Sequence, residues 1–172
     1  MNNTDGLERS ASQVKSSDAE AIVGILNPIV EAGIYTAFDT PFTVEGEREY
    51  ISNFPARGVF LVAGDPRDHS LVGFQSMEPF ARYTHAFDHV GMLGTYVGLS
   101  RRRQGIASCL FGATFKAARD KGYEKIFTFI RADNPVAMAV YRKYGFHIVG
   151  TAEKHAKING GYVDEIIVEK LL

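Results

Sequence analysis

The second half of the chain alternates apolar strand patterns with helical patterns, and this alternation limits the fold more than any other feature. Strand patterns cover residues 90–99, 126–130, 146–149 and 163–171, and helical patterns cover residues 105–121 and 135–144. Helices that separate strands in this way cover the faces of the sheet that the strands form. Together with two earlier strands, the alternation predicts a mixed sheet covered by helices.

The first half of the chain contains two helix patterns. Residues 16–20 carry the serine and acidic side chains that begin a helix, and Pro28 interrupts the apolar stripe before Gly33 ends it. Thr43 is expected to cap a second, shorter helix over residues 44–53. Both helices precede the first strand pattern.

A hairpin pattern follows these helices. Apolar strands at residues 59–63 and 71–74 flank the turn-forming residues 64–68. Residues 79–89 have no clear period, which predicts a loop between the hairpin and the next strand.

Length and charge balance exclude several classes of protein. A chain of 172 residues forms about one domain, and we expect a polar tail at residues 1–13 followed by a single domain at residues 14–172. A net charge of -1 argues against a protein that binds nucleic acid or membrane surfaces through a large basic excess. The sequence has no apolar run of about 18 residues, no signal-peptide core and no second cysteine beside Cys109. It therefore predicts a cytoplasmic protein.

The positive charge of the chain is concentrated near one predicted helix start. No acidic residue lies between Asp88 and Asp120, whereas five basic side chains do: Arg101, Arg102, Arg103, Lys116 and Arg119. The free N–H groups and positive dipole end of a helix that begins at Gly105 would hold a phosphate or pyrophosphate. The alternative for this loop is a solvated basic turn. A Walker A loop is excluded because no Gly-Lys-Ser/Thr closes it, and the glycine spacing fits a dinucleotide fingerprint poorly.

The same stretch resembles the GNAT superfamily of N-acetyltransferases. Residues 102–107 match the family signature Arg/Gln-x-x-Gly-x-Gly/Ala, and Asn134-Pro135-x-Ala137 and Tyr141-x-x-Tyr144-Gly145-Phe146 follow at the expected distance. The phosphinothricin and L-amino-acid acetyltransferase group is the most similar one, through Asn27 and residues 34–43 and 45–51. The resemblance implies an α/β (α+β), single-domain GNAT fold. In that fold, helices flank a mixed, mostly antiparallel sheet of about six to seven strands.

The resemblance also implies that acetyl-CoA binds as cosubstrate and that no metal takes part. The backbone of Val97 and Leu99 would pair with the pantetheine arm, and Asn134 would form a hydrogen bond to it. The residues expected around the pyrophosphate are Arg102, Arg103, Gln104, Gly105, Ile106, Ala107 and Ser108. Residues 85–89 are only weak evidence for a metal cluster, because no further spaced ligands accompany them.

Tyr141 is, by the same resemblance, the catalytic acid that protonates the departing thiolate. A phenol with a pKa of about 10 can donate to a coenzyme thiolate whose pKa resembles that of cysteine, about 8.5. Without the family, the pattern favours a core aromatic on an amphipathic helix, since Val140 and Tyr144 are also bulky.

The general base is where this sequence departs from the family pattern. Phosphinothricin-type enzymes are expected to carry a glutamate a few residues before Tyr96-Val97, but Met92 and Leu93 stand there. We assign Glu78 as the catalytic base instead, acting through a water molecule, with residues 88–89 as alternatives.

The expected acceptor is the amine of a small molecule, such as an amino acid or a phosphinothricin-like compound, which attacks directly in a ternary complex. An α-amine has an unperturbed pKa of about 7.7–8.0, so a useful neutral fraction exists at pH 7. The residues expected around it are Phe38, Phe74, Arg82 and Tyr83, with Arg82 pairing with a substrate carboxylate. Two alternatives stay open: a peptide or protein N-acetyltransferase, and a CoA-binding module without turnover. Related enzymes commonly dimerise, so a homodimer is also expected.

Overall fold

A sheet with helices on both faces forms the centre of the computed structural model, which describes residues 10–172. Within these residues the strands are β1 (Ala11–Gln13), β2 (Val59–Gly64), β3 (Leu71–Pro79), β4 (Val90–Val97), β5 (Lys125–Arg131), β6 (His147–Ile158) and β7 (Gly161–Leu171). The helices are α1 (Ala19–Glu31), α2 (Val44–Ser52), α3 (Ile106–Asp120) and α4 (Pro135–Lys143). The strand order is β1-β2-β3-β4-β5-β7-β6, and only the pair β4 and β5 is parallel. The predicted mixed, mostly antiparallel sheet is confirmed.

Alternate side chains of the strands supply two separate cores. On one face, α1 and α2 pack against Phe60, Val62 and Phe74. On the other face, α3 and α4 pack against residues of opposite parity, among them Leu61 and Leu93. This alternation follows from the two-residue repeat of a strand, which sends successive side chains to opposite faces.

The parallel strands β4 and β5 stay together for only a short distance. Their pairing covers three residue pairs and ends where Met92 faces Phe127. At the next position the hydroxyl of Thr128, rather than a backbone N–H, donates to the carbonyl oxygen of Leu93 at 2.7 Å. Beyond this bond the two strands diverge, while β4 keeps its pairing with β3 up to Val97 and β5 keeps its pairing with β7. The sheet therefore contains a gap that opens toward the carboxyl ends of β4 and β5.

Pro28 does not interrupt the first helix, as the sequence had suggested. Helix α1 continues through it to Glu31. Pro28 and Gly24, the residue whose carbonyl loses its helical donor, both lie on the exposed face of α1. Water can therefore replace the missing hydrogen bond, and the cost of an internal proline is small here.

The sheet also contains strand residues that the sequence patterns did not predict. The predicted polar tail lies outside the described residues up to residue 9, and Ala11–Gln13 pair with β2. The strand predicted at residues 146–149 extends to Ile158, where Asn159 and Gly160, both with positive φ, turn the chain into β7. An Asn-Gly pair is a strong hairpin signal, and it could have located this turn from the sequence alone.

The hydrogen bond from Thr128 to Leu93, at the start of the gap, should contribute to the stability of the fold. We expect Thr128→Val to lower the free energy of unfolding by about 1–3 kcal/mol, because it leaves the buried carbonyl of Leu93 without a donor. Urea unfolding at neutral pH measures the change. Thr151→Val, on the exposed part of β6, is the matched control and should have little effect. Equal losses in the two variants would contradict the structural role of Thr128.

Candidate active site

A cleft of about 340 Å³ occupies the gap between β4 and β5. One wall is β4 from Met92 to Tyr96, and the other is β5 from Thr128 to Arg131, with Glu165 of β7 beside it. Residues 33–38, here called the covering segment, connect α1 to the stretch before α2, and their last four residues also line the cleft. The cleft is bounded by backbone that the sheet leaves unpaired, by the covering segment and by residues of α2, β3, β4, β5, α4 and β7.

The covering segment is held in place by Arg131. The buried guanidinium donates to the carbonyl oxygens of Gly33 at 2.8 Å and Thr36 at 3.0 Å. Its other edge makes a bidentate pair with Asp133, at 2.8 and 2.7 Å. A paired guanidinium can be buried, whereas an isolated one could not, so Asp133 allows Arg131 to tie the segment to β5.

Asn134 joins the same arrangement. Its side-chain amide donates to the carbonyl oxygen of Tyr35 at 3.2 Å, and its side-chain oxygen accepts from the N–H of Ala137 at 3.1 Å, which caps α4. Asn134 was predicted to contact pantetheine, and the structure places it at the cleft wall. Both polar atoms of its side chain form hydrogen bonds within the protein, and these bonds fix the covering segment and the start of α4.

The glycine-rich turn between β4 and α3 forms the far end of the gap. Leu99–Arg101 make a 3-10 turn, and both Arg103 (φ 60°) and Gly105 (φ 78°) are left-handed before α3 begins at Ile106. Among the described residues, the first helical N–H to find a backbone acceptor is that of Cys109, which donates to Gly105. The earlier N–H groups remain available to an anion, as at other helix N-termini.

Several of the predicted pyrophosphate residues also have partners inside the protein. Arg102 stacks over the ring of Tyr35, 4.0 Å from its centroid, which places its charge beside the covering segment. Ile106 is buried in the core, so only its backbone can serve a ligand. The remaining residues of this set, 103–105 and 107–108, lie on the turn and the first turn of α3, where the hydroxyl of Ser108 lies 2.5 Å from that of Tyr144.

Asp65 anchors the basic turn to the rest of the fold. Its buried carboxylate accepts two side-chain hydrogen bonds from Arg67, at 2.9 and 2.6 Å, and one from Arg101 at 2.9 Å. The hydrogen bonds from Arg67 hold the pKa of Asp65 well below its usual range. Arg101 is thereby held at Asp65, which leaves Arg102 and Arg103 as the arginines of this turn without a carboxylate partner among the ion pairs described.

Tyr141 projects from α4 with its ring in the core and its hydroxyl in the cleft. The ring packs edge-on against Phe111 and Phe146, as the core interpretation of the sequence required. The hydroxyl lies 2.9 Å from the hydroxyl of Thr95, which accepts a hydrogen bond from the side-chain amide of Gln75, also at 2.9 Å. Burial raises the pKa of Tyr141 to about 12, so the phenol stays protonated at neutral pH.

Glu78 lies on β3 directly across from Met92 of β4. Residues paired across two strands share a face, so Glu78 stands beside the position where the sequence lacks the expected glutamate. Its carboxylate accepts a hydrogen bond from Tyr50 at 2.6 Å and makes an ion pair with Arg82 at 2.5 Å. Both Glu78 and Tyr50 line the cleft. The site thus contains a carboxylate on β3, next to the strand β4 on which the family pattern expects a glutamate.

Comparison with known proteins assigns the family. A sequence model of the acetyltransferase (GNAT) family matches residues 31–146. The chain belongs to this family. It is therefore an acyl-CoA-dependent N-acetyltransferase, as the resemblance predicted.

Individual GNAT proteins resemble the chain over part or most of its length. It is 27% identical over 138 residues to the phosphinothricin N-acetyltransferase of Streptomyces coelicolor, over 78% of this chain and 80% of that protein. It is 36% identical over 77 residues to the L-amino acid N-acetyltransferase of Escherichia coli, over 44% and 48% of the two chains. A phosphinothricin acetyltransferase from Sinorhizobium meliloti, solved with acetyl-CoA, has the same fold, with a TM-score of 0.86 at 19% identity over 95% and 88%.

The residues predicted around the acceptor are only partly brought together in this GNAT protein. Phe38 lines the cleft and stacks on Tyr96, with ring centroids 6.1 Å apart. Phe74 does not line it: the ring is buried between Phe60 and Tyr96, because its position on β3 faces α1 and α2. Tyr83 does not line it either, since it lies on the loop after β3 with 84% of its surface exposed.

Arg82, on the same loop as Tyr83, is the remaining predicted acceptor residue. It is not a free guanidinium, because Glu78 already neutralises its charge.

Sequence analysis missed several polar groups on the cleft wall, among them Arg131, Thr95 and Glu165. Glu165 lies on β7 opposite Arg131, and only 8% of its surface is exposed. His155 stacks on Phe129, 5.1 Å between ring centroids, and its Nε2 lies 3.8 Å from Glu165. The Asn-Gly turn at residues 159–160 was the available signal, since it sets the register that brings β6 and β7 to the cleft.

Across residues 10–172, no group of three or more His, Cys, Asp or Glu side chains is arranged to hold a metal ion. His85, part of the weak metal pattern, instead contacts Asp88 at 3.0 Å. In the same range no helix has the length and apolar character needed to cross a membrane.

The ion pairs of Asp65 predict a pH-dependent stability difference. Because the pKa of Asp65 is lower in the folded state than in the unfolded state, its charge stabilises the fold above a pH of about 4. That contribution disappears as the pH falls through the lowered value. We expect Asp65→Asn to lower the Tm at pH 7 and the difference from the wild type to shrink below a pH of about 4.

Thermal unfolding followed by circular dichroism at several pH values measures this difference. Asp39→Asn, at an exposed acid before α2, is the control and should change the Tm little at any pH. A loss of Tm in Asp65→Asn that stays constant from neutral to acidic pH would contradict the ion-pair explanation.

Proposed function

We propose that this GNAT protein transfers the acetyl group of acetyl-CoA to the amine of a small molecule by direct attack in a ternary complex. The observation that carries the proposal is the gap between β4 and β5. It has the basic glycine turn at one end and the hydroxyl of Tyr141 on its wall. Amino acids and phosphinothricin-like amines are the first acceptors to test, because the relatives are named for them.

The cofactor would bind along the edge of β4 that faces the gap. The backbone at Val97 and Leu99 would pair with the pantetheine arm, because that edge has no strand beside it. The free N–H groups of residues 103–108 and the guanidinium of Arg102 would hold the pyrophosphate. Bound acetyl-CoA supplies an acetyl group activated as a thioester, and every other group in the reaction belongs to the chain or the acceptor.

Tyr141 would protonate the leaving thiolate. The hydroxyl of Thr95 accepts from Gln75, so its own hydrogen is available to the oxygen of Tyr141. If Thr95 donates, the hydrogen of Tyr141 points into the cleft. Gln75 and Thr95 would then act as positioning residues for the catalytic acid.

Glu78 would accept the proton of the attacking amine through a water molecule. The neutral nitrogen attacks the thioester carbon, the carbon–sulfur bond breaks, and the sulfur takes the proton of Tyr141. The excess proton on nitrogen passes to Glu78, and solvent restores both groups. Tyr50 and Arg82 hold the carboxylate of Glu78 in position for this transfer.

Two properties accompany this proposal. We expect the protein to act in the cytoplasm and to form a homodimer. Size-exclusion chromatography with light scattering measures the oligomeric state. A monomer at micromolar concentration would contradict the second expectation.

The first test of the proposal is CoA binding together with acetyl transfer. Calorimetry should detect CoA binding, and thiol release from acetyl-CoA should depend on an added amine. We expect Gly105→Glu to weaken CoA binding at least about tenfold, because it adds a negative charge at the anion site and a side chain at φ 78°.

Gly112→Glu, in the exposed middle of α3, is the matched control and should bind CoA like the wild type. No CoA binding by the wild type would refute the proposal. CoA binding without transfer to any amine would favour a CoA-binding module without turnover.

The two catalytic groups can be distinguished by the pH dependence of kcat. We expect Tyr141→Phe to lower kcat about 10–100-fold at every pH tested, because no other group protonates the thiolate as efficiently. Glu78→Gln should lower kcat mainly at neutral pH and recover at high pH, where the free amine needs no base. Indistinguishable profiles for the two variants would contradict these separate roles.

Thr95 supplies the control for the positioning of Tyr141. Thr95→Ser keeps a hydroxyl and should retain most of kcat, whereas Thr95→Val should lose part of it with little change in the KM for acetyl-CoA. Equal activity in the two variants would show that the hydroxyl of Thr95 does not position Tyr141.

A further inference from the structure

Glu165 is a buried carboxylate that the proposed reaction does not use. It lines the cleft with 8% of its surface exposed, and its closest basic atom is Nε2 of His155 at 3.8 Å. Within residues 10–172, no side chain or backbone group forms a hydrogen bond with its carboxylate. Burial of a carboxylate without such bonds is costly, and a cost of this kind is common where a ligand supplies the missing partner.

The neighbouring guanidinium does not neutralise Glu165. Arg131 is its register partner on β5, yet one edge of that guanidinium is paired with Asp133. The remaining Nη1 donates to the carbonyl oxygens of Gly33 and Thr36. The negative charge on this side of the cleft is therefore not hydrogen-bonded to a cation, although Arg131 and the exposed His155 attract it electrostatically.

The rest of the lining also suits a cation. Six aromatic residues line the cleft, and an ammonium group over a ring face is attracted by the ring. They are Tyr35, Phe38, Tyr50, Tyr96, Phe129 and Tyr141. Arg131 is the only Lys or Arg among the lining residues described, and nearby Arg82 is paired with Glu78. A carboxylate on the acceptor would thus meet two glutamates and no uncommitted cation.

We propose that the acceptor is a linear polyamine: one nitrogen is acetylated near Glu78, and a second ammonium group binds Glu165. This inference rests on the proposed acetyl transfer and names its substrate class.

Four amines test which charged groups on the acceptor the cleft favours. Cadaverine, pentylamine and lysine share one carbon chain, with a second amine in cadaverine and an added carboxylate in lysine, and spermidine is the longer polyamine. We expect kcat/KM for spermidine and cadaverine to exceed that for pentylamine and lysine at least about tenfold. Thiol release from acetyl-CoA measures all four under the same conditions.

Glu165→Gln tests whether this carboxylate is responsible. The ratio of kcat/KM between cadaverine and pentylamine should fall toward one in this variant. Glu124→Gln, at an exposed glutamate before β5, is the matched control and should keep the wild-type ratio. A ratio that persists in Glu165→Gln would overturn the assignment.

Binding of spermidine gives a readout that does not depend on turnover. Spermidine should raise the Tm of the wild type by roughly 2–4 °C and leave that of Glu165→Gln unchanged. Acetylation in which lysine or pentylamine equals the polyamines would overturn the inference while leaving the proposed function intact. So would a tripeptide amide that exceeds spermidine, since the acceptor would then be a peptide. Absence of both CoA binding and transfer would instead refute the proposed function.

Discussion

The separation of β4 from β5 is the constraint on which the rest of the structure depends. A parallel pair normally continues along the sheet, but here the pairing ends after Met92 and Phe127, and the hydroxyl of Thr128 closes the last position. The sheet survives the gap because β3 and β7 still pair with the outer edges of the two strands. A backbone edge is thus left free inside a stable domain. In the proposed function, this edge binds the cofactor.

Polar groups that are costly to bury collect around this gap. Arg131 is buried with Asp133 and holds the covering segment, Gln75 holds Thr95 beside Tyr141, and Glu165 has no hydrogen-bond donor among the described residues. Elsewhere the buried side chains are mostly apolar, apart from a few such as Asp65 and Thr114, and they supply the stability that offsets these costs. Such a concentration of unfavourable groups at one place marks it as the functional part of the domain.

Short-range sequence patterns predicted those parts of the site that residues adjacent in the chain determine. The basic turn and the helix that begins beside Gly105 are local features, and they were predicted because a few neighbouring residues determine them. The position of Glu165 in the cleft and the burial of Phe74 depend on strand register, which could not be read from the sequence alone. Glu78 lies between these cases: it was selected because it was nearby in the chain, and only the pairing of β3 with β4 places it opposite Met92.

A crystal structure of the protein with bound CoA tests the proposed cofactor site most directly. We expect the pantetheine to lie between β4 and β5, with its thiol beside the hydroxyl of Tyr141 and its pyrophosphate at residues 103–108. CoA bound elsewhere on the surface, or β4 and β5 paired along their full length in the complex, would contradict this expectation.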